Sequence, residues 1–560
     1  MKKIFLLFIY IFLSAFLWAD YFYQNDNEIF TLLHLSRTMG KVFPFSTFPV
    51  HGSDILKYAQ SLQEDPALSF LNEDENTMLD VIILKLEKQR GQGIFVFGNI
   101  AAAYEHRFNS GSFMYGEEEL PNSLDVHRAY LDFSPILSLY GGIGFFDGIF
   151  LALNIDVRKN WNDDFNPSSN FLTKVNVMYD MFTKGIFAWN AEYINFFFGR
   201  NSVHWGNPLG STFYASSLIP HMDNISINVP LGPFTFDYSL ATIISKRSKY
   251  KDVDIGIKNI YPEEYYNKDN PLGDYFGFTG DSQSDVNPSV ILFISNRFQW
   301  NFGKVKTGLG ATTTIARANN QFIFTDIIPV MIHHNVDSVP NNYAIILDVN
   351  WNIIRGLSLS AMLGFDDINA KDFGIPDGQT PTIPGAILQL EYSNYQKKSE
   401  GFGFFQYYML EAGYTHYLWG NFQYNNNPES WCGVYLARAI YRYTPNKSAV
   451  LLPLTSPYGP GVIWGKLTSR FNFTDLNIQV GLDLLLLFKN SHVNLVETEY
   501  ERDDSLNKPD QWYVSIDIPI IYNWRYFEFI LNPGIIFSKE KTLFECTLGV
   551  RFGLEGSGRL

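Results

Sequence analysis

The sequence lacks the features that usually identify a soluble enzyme or a nucleic-acid-binding protein. It contains no G-x-S-x-G nucleophile elbow, no H-E-x-x-H zinc motif and no C-x-x-C pair. Asp and Glu outnumber Lys and Arg by 57 to 42, which gives a net charge of -15, whereas a phosphate backbone is bound by a basic surface. We therefore predict that the protein is not an enzyme and has no catalytic residue, metal site, cofactor or nucleic-acid partner.

Long hydrophobic runs are also absent beyond the first residues. The chain opens MKKIFLLFIYIFLSAFLWAD, a basic start, an apolar run and a small residue, which is the pattern of a secretory signal peptide over residues 1–19. After it, no apolar stretch reaches the roughly 18 residues that a membrane-spanning helix requires. Aromatic residues nevertheless make up 17% of the chain, a composition that suits a membrane protein built from strands.

Reactive side chains are few and do not form a recognisable site. The two cysteines, Cys432 and Cys546, permit one disulfide but no disulfide framework, and we favour two unpaired residues that pack. The neighbouring carboxylates Asp366 and Asp367 are interpreted as solvated loop charges rather than as an acid–base pair. Neither pair predicts a reaction.

Alternation with a period of two is the main pattern in the rest of the chain. In LALNIDVRKN, residues 151–160, apolar side chains alternate with small or polar ones, so one face of the strand is apolar and the other is not. The alternation recurs in residues 234–238, 343–351 and 512–520. Roughly 16 to 20 such strands lie in residues 91–552, where we predict an all-β fold, a transmembrane β-barrel of the outer membrane.

The segment TLFECTLGVRF near the end of the chain predicts the closing strand of this barrel. Its alternate apolar residues end at Phe552, and Gly549 and Val550 precede it. The pattern resembles the terminal-strand signal that outer-membrane barrels present to their assembly machinery, which is therefore a predicted partner. Residues 553–560 follow it and are predicted to be a C-terminal tail.

Residues 20–90 have a helical rather than a strand pattern. Apolar residues at helical spacing occur around Ile55 and again around Leu79. Pro44 and Pro49 separate the first helix from the second. We predict about three helices, either as a small periplasmic subdomain or as a plug.

The stretch GRNSVHWGNPLGS, residues 199–211, is the strongest candidate binding loop. Trp205 offers a flat apolar face to a sugar ring, and Arg200, His204 and Asn207 can donate hydrogen bonds to hydroxyl or carboxylate groups. The alternative is a structural loop that folds into the barrel, with Arg200 neutralising carboxylates of the lumen and Trp205 packed against the wall.

Two segments resemble the Wzi-type family of capsule-assembly outer-membrane proteins. They are HLSRTMGKVFPFSTFPVHGSDILKYAQSL and residues 199–232, and residues 441–465 are similar to a later loop of that family. The resemblance implies a barrel of 18 antiparallel strands with a small N-terminal helical subdomain on the periplasmic side. It also implies a lectin-like role that attaches surface polysaccharide to the outer leaflet.

We therefore expect an outer-membrane protein whose partners are outer-membrane lipid and surface polysaccharide. Two alternatives stay open. The chain could be a porin-like channel for small solutes or ions, since its lumen is predicted to be acidic, or a surface adhesin that contacts host molecules through its long loops. A lumen filled by inward-folded loops would favour anchoring, and an open constriction ringed by charges would favour transport.

The closing strand gives the first prediction. Replacing Phe552 by Ala shortens the apolar face that the assembly machinery recognises, so less folded barrel should reach the membrane. The loss should appear as a weaker heat-modifiable band on unboiled gels of cell envelopes. Unchanged folded protein would show that another segment carries the assembly signal.

Overall fold

The alternating segments of the sequence form the strands of one closed antiparallel barrel. The computed structural model describes residues 21–22, 26–89, 94–110, 134–145, 149–159, 177–191, 193–215, 219, 221–244, 290–317, 324–328, 341–368, 381–397, 403–423, 431–433, 435–438, 450–493, 505–539 and 541–559. Within these residues the barrel has 18 strands, of which the sixteenth is broken into two pieces. Each strand pairs with its neighbour along the chain, and the last strand pairs with the first.

The strands are β1 (Ile94–Asn109), β2 (Leu137–Phe145), β3 (Ile149–Lys159), β4 (Val177–Asn190), β5 (Asn195–Asn201), β6 (Met222–Leu231), β7 (Phe234–Ile244), β8 (Val290–Asn301), β9 (Val305–Arg317), β10 (Asn341–Ile354), β11 (Leu357–Phe365), β12 (Pro384–Lys397), β13 (Gly403–Thr415), β14 (Val462–Phe473), β15 (Ile478–Lys489), β16 (Gln511–Asp517 and Ile520–Trp524), β17 (Phe527–Ser538) and β18 (Thr542–Arg559). The predicted all-β transmembrane barrel of about 18 strands is confirmed. Closure pairs the backbone groups of every strand, which a membrane interior requires.

Side chains that point outward form an apolar surface with aromatic rims. One rim has the exposed residues Trp189, Tyr193, Trp300, Phe302, Trp351, Trp524 and Tyr526. The other has Tyr104, Phe108, Phe488, Trp512 and Phe544. Exposed leucines, among them Leu347, Leu388 and Leu410, lie between the rims. This is the surface expected of a barrel that crosses a bilayer with an aromatic girdle at each interface.

The two ends of the barrel differ in the length of their connections. At the short-turn end, strands are joined by turns in which Gly232, Gly303 and Gly356 take positive φ angles of 65°, 81° and 78°, a region that favours glycine. At the long-loop end, connections such as residues 202–221 are much longer. In outer-membrane barrels the short turns face the periplasm.

Three helices lie at the short-turn end, α1 (Asn27–Thr38), α2 (Gly52–Gln63) and α3 (Glu73–Gln89). Their apolar stripes share one buried core, which includes Leu32, Leu56 and Ile82. The side chain of Asn195, at the turn between β4 and β5, donates to Asp54 of α2 at 3.0 Å and so ties the helices to the barrel. Among the described residues, no helix is both long enough and apolar enough to cross a membrane.

Shorter elements complete the described structure. Two-residue strands pair Tyr21–Phe22 with Val50–His51 and Thr47–Phe48 with His204–Trp205, and longer pairs join Asn421–Gln423 to Trp431–Gly433 and Tyr435–Arg438 to Val450–Pro453. Short 3-10 helices span Pro66–Phe70, Phe324–Ile327, Thr474–Leu476 and Ser505–Asn507. Cys546 is a free thiol. The predicted signal peptide, residues 1–19, and the side chain of Cys432 lie outside the described part of the chain.

The predicted boundary at Phe552 needs correction. Strand β18 runs past it to Arg559, and residues 553–559 pair with residues 95–101 of β1. The physical reason is the length of β1. Without residues 553–559, residues 95–101 of β1 would present unpaired N–H and C=O groups along one edge. Residues 553–559 therefore belong to the barrel rather than to a tail.

The correction gives the second prediction. Ending the chain after Gly553 removes the backbone partners of residues 95–100, so the folded fraction on unboiled gels should fall and the remaining barrel should melt at a lower temperature. The control is Glu555→Ala, which keeps every backbone group and should leave both unchanged. Equal folding of the shortened and full chains would show that this pairing is dispensable.

Candidate functional site

The lumen contains the N-terminal segment of residues 41–48, here called the plug tip. The buried wall residue Lys306 donates from Nζ to the Phe43 carbonyl at 2.9 Å. Gln299, on the neighbouring strand β8, donates from Nε2 to the Pro44 carbonyl at 2.8 Å. Both donors bind main-chain carbonyls, which any residue would supply, so the wall fixes the course of the plug tip independently of its side chains.

Residues 202–215, in the connection between β5 and β6, enter the lumen from the long-loop end and are here called the inward loop. Residues 204–205 form a two-stranded antiparallel sheet with residues 47–48 of the plug tip. Next to this sheet, the Gly206 amide donates to the Ser46 carbonyl at 2.7 Å. Backbone that enters from opposite ends of the barrel is thus hydrogen-bonded inside it.

The buried carboxylate of Glu391, on β12, joins the helices to the inward loop. Arg37 of α1 donates from Nη2 to Glu391 Oε2 at 2.6 Å. The hydroxyl of Tyr407, on β13, donates to the same oxygen at 3.0 Å. The side-chain amide of Asn207, in the inward loop, donates to Oε1. One wall carboxylate therefore holds a helix, a loop and a neighbouring strand.

A second buried carboxylate, Glu411 of β13, holds the other half of the inward loop. Ser211 donates to it from its backbone N–H at 2.8 Å and from its hydroxyl at 2.5 Å. Gln389 Nε2 and Trp464 Nε1 each donate at 2.8 Å. These donors are all uncharged, so the carboxylate is compensated by hydrogen bonds that the folded loop supplies.

The aromatic residues of the inward loop lie against a buried ion pair of the wall. Arg297, on β8, donates from Nε and Nη2 to Asp348 of β10 at 3.0 and 2.7 Å. The Tyr214 hydroxyl donates to the same carboxylate at 3.1 Å. The ring of Trp205 packs beside Tyr214, with ring centroids 6.0 Å apart. This two-bond pairing of a guanidinium with a carboxylate fixes the geometry on which the loop packs.

The place where the inward loop pairs with the plug tip inside the barrel is here called the junction. Three of the four predicted glycan-binding residues lie in it. Trp205 is 2% exposed, and His204 and Asn207 are also buried. His204 Nε2 lies 2.8 Å from the Asn207 carbonyl, to which it donates when that nitrogen carries the proton. Contact of these residues with glycan stays a prediction, but this conformation leaves no face of Trp205 for a sugar ring. In this structure the three residues close the lumen.

The fourth residue, Arg200, lies apart from the others on β5. Its guanidinium donates to Asp223 of β6 at 2.6 and 2.8 Å. Because the adjacent Asn201 is buried on the lumen side with Asn224, the alternation of the strand places Arg200 on the outward face. The alternative in which Arg200 neutralises carboxylates of the lumen is therefore wrong.

The three residues of the predicted assembly signal lie on β18 as the alternation requires. Gly549 faces the lumen, and a Cβ added there would come within 2.8 Å of the Glu105 side chain. Val550 and Phe552 face outward, and the Phe552 ring lies 5.2 Å from that of Phe527. Their recognition by the assembly machinery stays a prediction.

The interpretation of Asp366 as a solvated charge is wrong. Its carboxylate is buried at the long-loop end, where it accepts from the Gly420 amide at 2.6 Å and from Asn342 Nδ2 at 2.8 Å. Burial raises the pKa of Asp366 well above its usual range, and the nearby Asp367 adds to the effect. Burial also raises the pKa of Asp367 to about 7. Asp366 thus joins two loops, which adjacency in the sequence could not reveal.

The residues that hold the junction were missed by the sequence analysis. They are Arg37 of α1 and the wall residues Arg297, Lys306, Asp348, Gln389, Glu391 and Glu411. The sequence pattern could have indicated some of these residues, because polar residues occupy alternate positions of β12 and β13 and alternation turns them toward the lumen. Their partners are hundreds of residues away in several cases, such as Arg37 with Glu391, and no local pattern identifies such a pair.

Comparison with solved structures shows what this architecture is similar to. Wzi of Escherichia coli, described as an outer membrane protein involved in Group 1 capsule assembly and as a carbohydrate-binding β-barrel, matches with a TM-score of 0.54 and 12% identity over 95% of this chain and 99% of that one. The Wzi-like fold predicted from the sequence is confirmed. At this identity the likeness shows the fold, that of a bacterial outer-membrane β-barrel.

Two proteins of Pseudomonas aeruginosa also match, at TM-scores too low to support an argument. OccD3 (OpdP) gives 0.36 with 8% identity over 83% of this chain and 94% of its own. OccK2 (OpdF), in complex with glucuronate, gives 0.38 with 10% identity over 83% and 100%. No protein-family model matches the sequence, and neither does any curated protein.

The Glu391 contacts give the third prediction. Arg37→Ala leaves this buried carboxylate without its cation, and breaking such a pair costs about 3 to 5 kcal/mol. Amides of residues 27–48 should therefore exchange with deuterium much faster in the variant, while the barrel strands stay protected. Lys57→Ala is the control, since Lys57 is mostly exposed and lies 3.7 Å from Asp54. Equal exchange in both variants would contradict the role of Arg37.

Proposed function

We propose that this chain is a closed outer-membrane barrel that binds surface polysaccharide and retains it at the cell surface. The observation that carries the proposal is the junction in the lumen. A barrel of 18 strands is wide enough for a channel, yet here the plug tip and the inward loop meet inside it and bind to each other and to the wall. A closed interior of this kind favours the attachment of polysaccharide over the passage of solutes through the barrel.

The contacts of the junction support permanent closure rather than a loose plug. Glu391 and Glu411 are almost fully buried, and each is hydrogen-bonded to residues of the inward loop. Withdrawing the loop would remove those donors from both carboxylates, and a hydrogen bond to a charged group is worth about 1.5 to 3 kcal/mol. The porin-like alternative requires the junction to open, so it is the less favoured function.

Of the four predicted residues, Arg200 alone has a partly accessible side chain, and a guanidinium is a group that binds carboxylate or hydroxyl oxygens. It faces outward on β5, four residues along the strand from Phe196, the register partner of the rim residue Trp189. His204, Trp205 and Asn207 would then act indirectly, because they keep the lumen closed. A charge-assisted hydrogen bond is worth about 1.5 to 3 kcal/mol, which corresponds to roughly tenfold or more in affinity.

The fourth prediction tests the proposal in cells that lack the chromosomal gene. Complementation with the natural sequence should keep polysaccharide on the cells, and Arg200→Ala should release it into the medium while folded protein stays level. The matched control is Arg470→Ala, because Arg470 makes the same two-bond contact with Asp483, at 2.8 Å, on the lumen side of the wall.

The outcomes separate the function from the site. If the strain without the gene keeps its polysaccharide, the proposed function is contradicted. If that strain sheds polysaccharide but Arg200→Ala behaves like Arg470→Ala, anchoring stands and Arg200 is not the contact. If folded protein falls together with attached polysaccharide, Arg200 is structural.

A further inference from the structure

A small cavity lies inside the junction, between the plug tip, the inward loop and the wall. It is lined by Ser46 of the plug tip, Asn207 of the inward loop and Lys306 of β9, together with residues of β10, β11 and β12. Ser46 and Lys306 are each 2% exposed and Asn207 is 7% exposed. The cavity is therefore part of the buried interior of the barrel.

Two of the lining residues carry a buried polar atom that has no hydrogen-bond partner among the described residues. One atom is the Ser46 hydroxyl oxygen, and the other is Asn207 Oδ1. The amide nitrogen of Asn207 is already bonded, since Nδ2 donates to Gln389 Oε1 at 2.7 Å and to the Glu391 carboxylate. Buried polar atoms are nearly always paired, either with protein or with ordered water.

Lys306 has a further donor in the same cavity. Its ammonium group has three N–H bonds, and two of them donate to the carbonyls of Phe43 at 2.9 Å and Phe45 at 3.3 Å. The third is left for another acceptor. Lys306, Asn207 and Ser46 thus offer one donor, one acceptor and one hydroxyl that can serve as either.

The size and the charge of the cavity limit what it can bind. It offers about 20 Å³ to the centre of a water-sized sphere, and one water molecule needs roughly 10 to 15 Å³ by that measure. A sugar, a phosphate or a carboxylate is too large. A metal cation would be repelled by the Lys306 ammonium, and an anion would be repelled by the carboxylate of Asp348, which also lines the cavity. A neutral molecule of the size of water meets both limits.

We infer that the junction contains a binding site for one ordered water molecule, which accepts from Lys306, donates to Asn207 Oδ1 and shares a third hydrogen bond with the Ser46 hydroxyl. Ser46 is fixed in position for this contact because its carbonyl accepts from the Gly206 amide at 2.7 Å. The water joins the plug tip, the inward loop and the wall at one point. A bridging water is nearly as favourable in enthalpy as a direct hydrogen bond. The polysaccharide proposal does not depend on this site.

The fifth prediction concerns Ser46→Ala in the refolded full mature chain. If water pairs with the Ser46 hydroxyl, the variant loses one hydrogen bond, and amides of residues 43–48 should exchange with deuterium roughly two- to tenfold faster. The matched control is Ser61→Ala, because the Ser61 hydroxyl is exposed on α2 and donates to the Tyr58 carbonyl of its own helix at 2.7 Å. The control should exchange like the natural sequence. Heat-modifiability of each variant confirms that the barrel has folded.

The direction of the change in exchange separates a bound water from an unpaired hydroxyl. A buried hydroxyl without any partner destabilises the folded state, so its removal would slow exchange of the plug tip or leave it unchanged. Either of these results in Ser46→Ala would overturn the inference.

A crystal structure of the natural mature chain, at a resolution that shows ordered water, identifies the ligand. We expect one water peak at hydrogen-bonding distance, about 2.5 to 3.2 Å, from Ser46 Oγ, Asn207 Oδ1 and Lys306 Nζ. Crystals soaked in bromide or in caesium should show no anomalous peak there. A cavity without density, or an anomalous peak from either ion, would also overturn the inference.

Discussion

The interior of this protein depends on the hydrogen bonds of two buried carboxylates on adjacent strands, Glu391 of β12 and Glu411 of β13. A buried carboxylate without donors is strongly destabilising. The wall supplies some of the donors, Tyr407 to Glu391 and Gln389 and Trp464 to Glu411. Arg37 and Asn207 supply the others for Glu391, and Ser211 supplies the others for Glu411. The two charges thereby require both the helices and the inward loop to be in place.

This requirement links parts of the chain that enter the barrel from opposite ends. The plug tip is gripped through its carbonyls by Lys306 and Gln299, and the inward loop pairs with it as a two-stranded sheet. Because each element is held by the wall and by the other, closure does not rest on a single contact. The outer surface follows a simpler rule, since exposed apolar side chains lie between the two aromatic rims.

The sequence was informative where structure follows from local periodicity. Alternation in residues 151–160, 234–238 and 343–351 identified strands of the wall, and their pattern predicted a closed barrel in a membrane, because period two fixes both conformation and facing. The segment GRNSVHWGNPLGS, predicted as a candidate binding loop, contains the residues of the inward loop that pair with the plug tip and bind Glu391. Its role depends on Glu391 and Glu411, and nothing near it in the chain indicates them.

The errors have the same cause. Arg200 and Trp205 are five positions apart in one motif, yet one faces outward from β5 and the other is buried in the lumen, because the strand ends between them. Asp366 is buried where Asn342, on the adjacent strand β10, and Gly420, in the loop after β13, donate to it. Facing within a strand can be predicted from its sequence, but contacts between loops depend on the closed fold.

Conductance of the refolded mature chain in a planar bilayer tests the closed lumen most directly. The account predicts that the natural sequence inserts without conductance steps. It also predicts that a variant without residues 26–89, which lacks the plug tip and Arg37, conducts. Stable steps from the natural sequence, at the same level as from the shortened variant, would contradict closure and favour a channel.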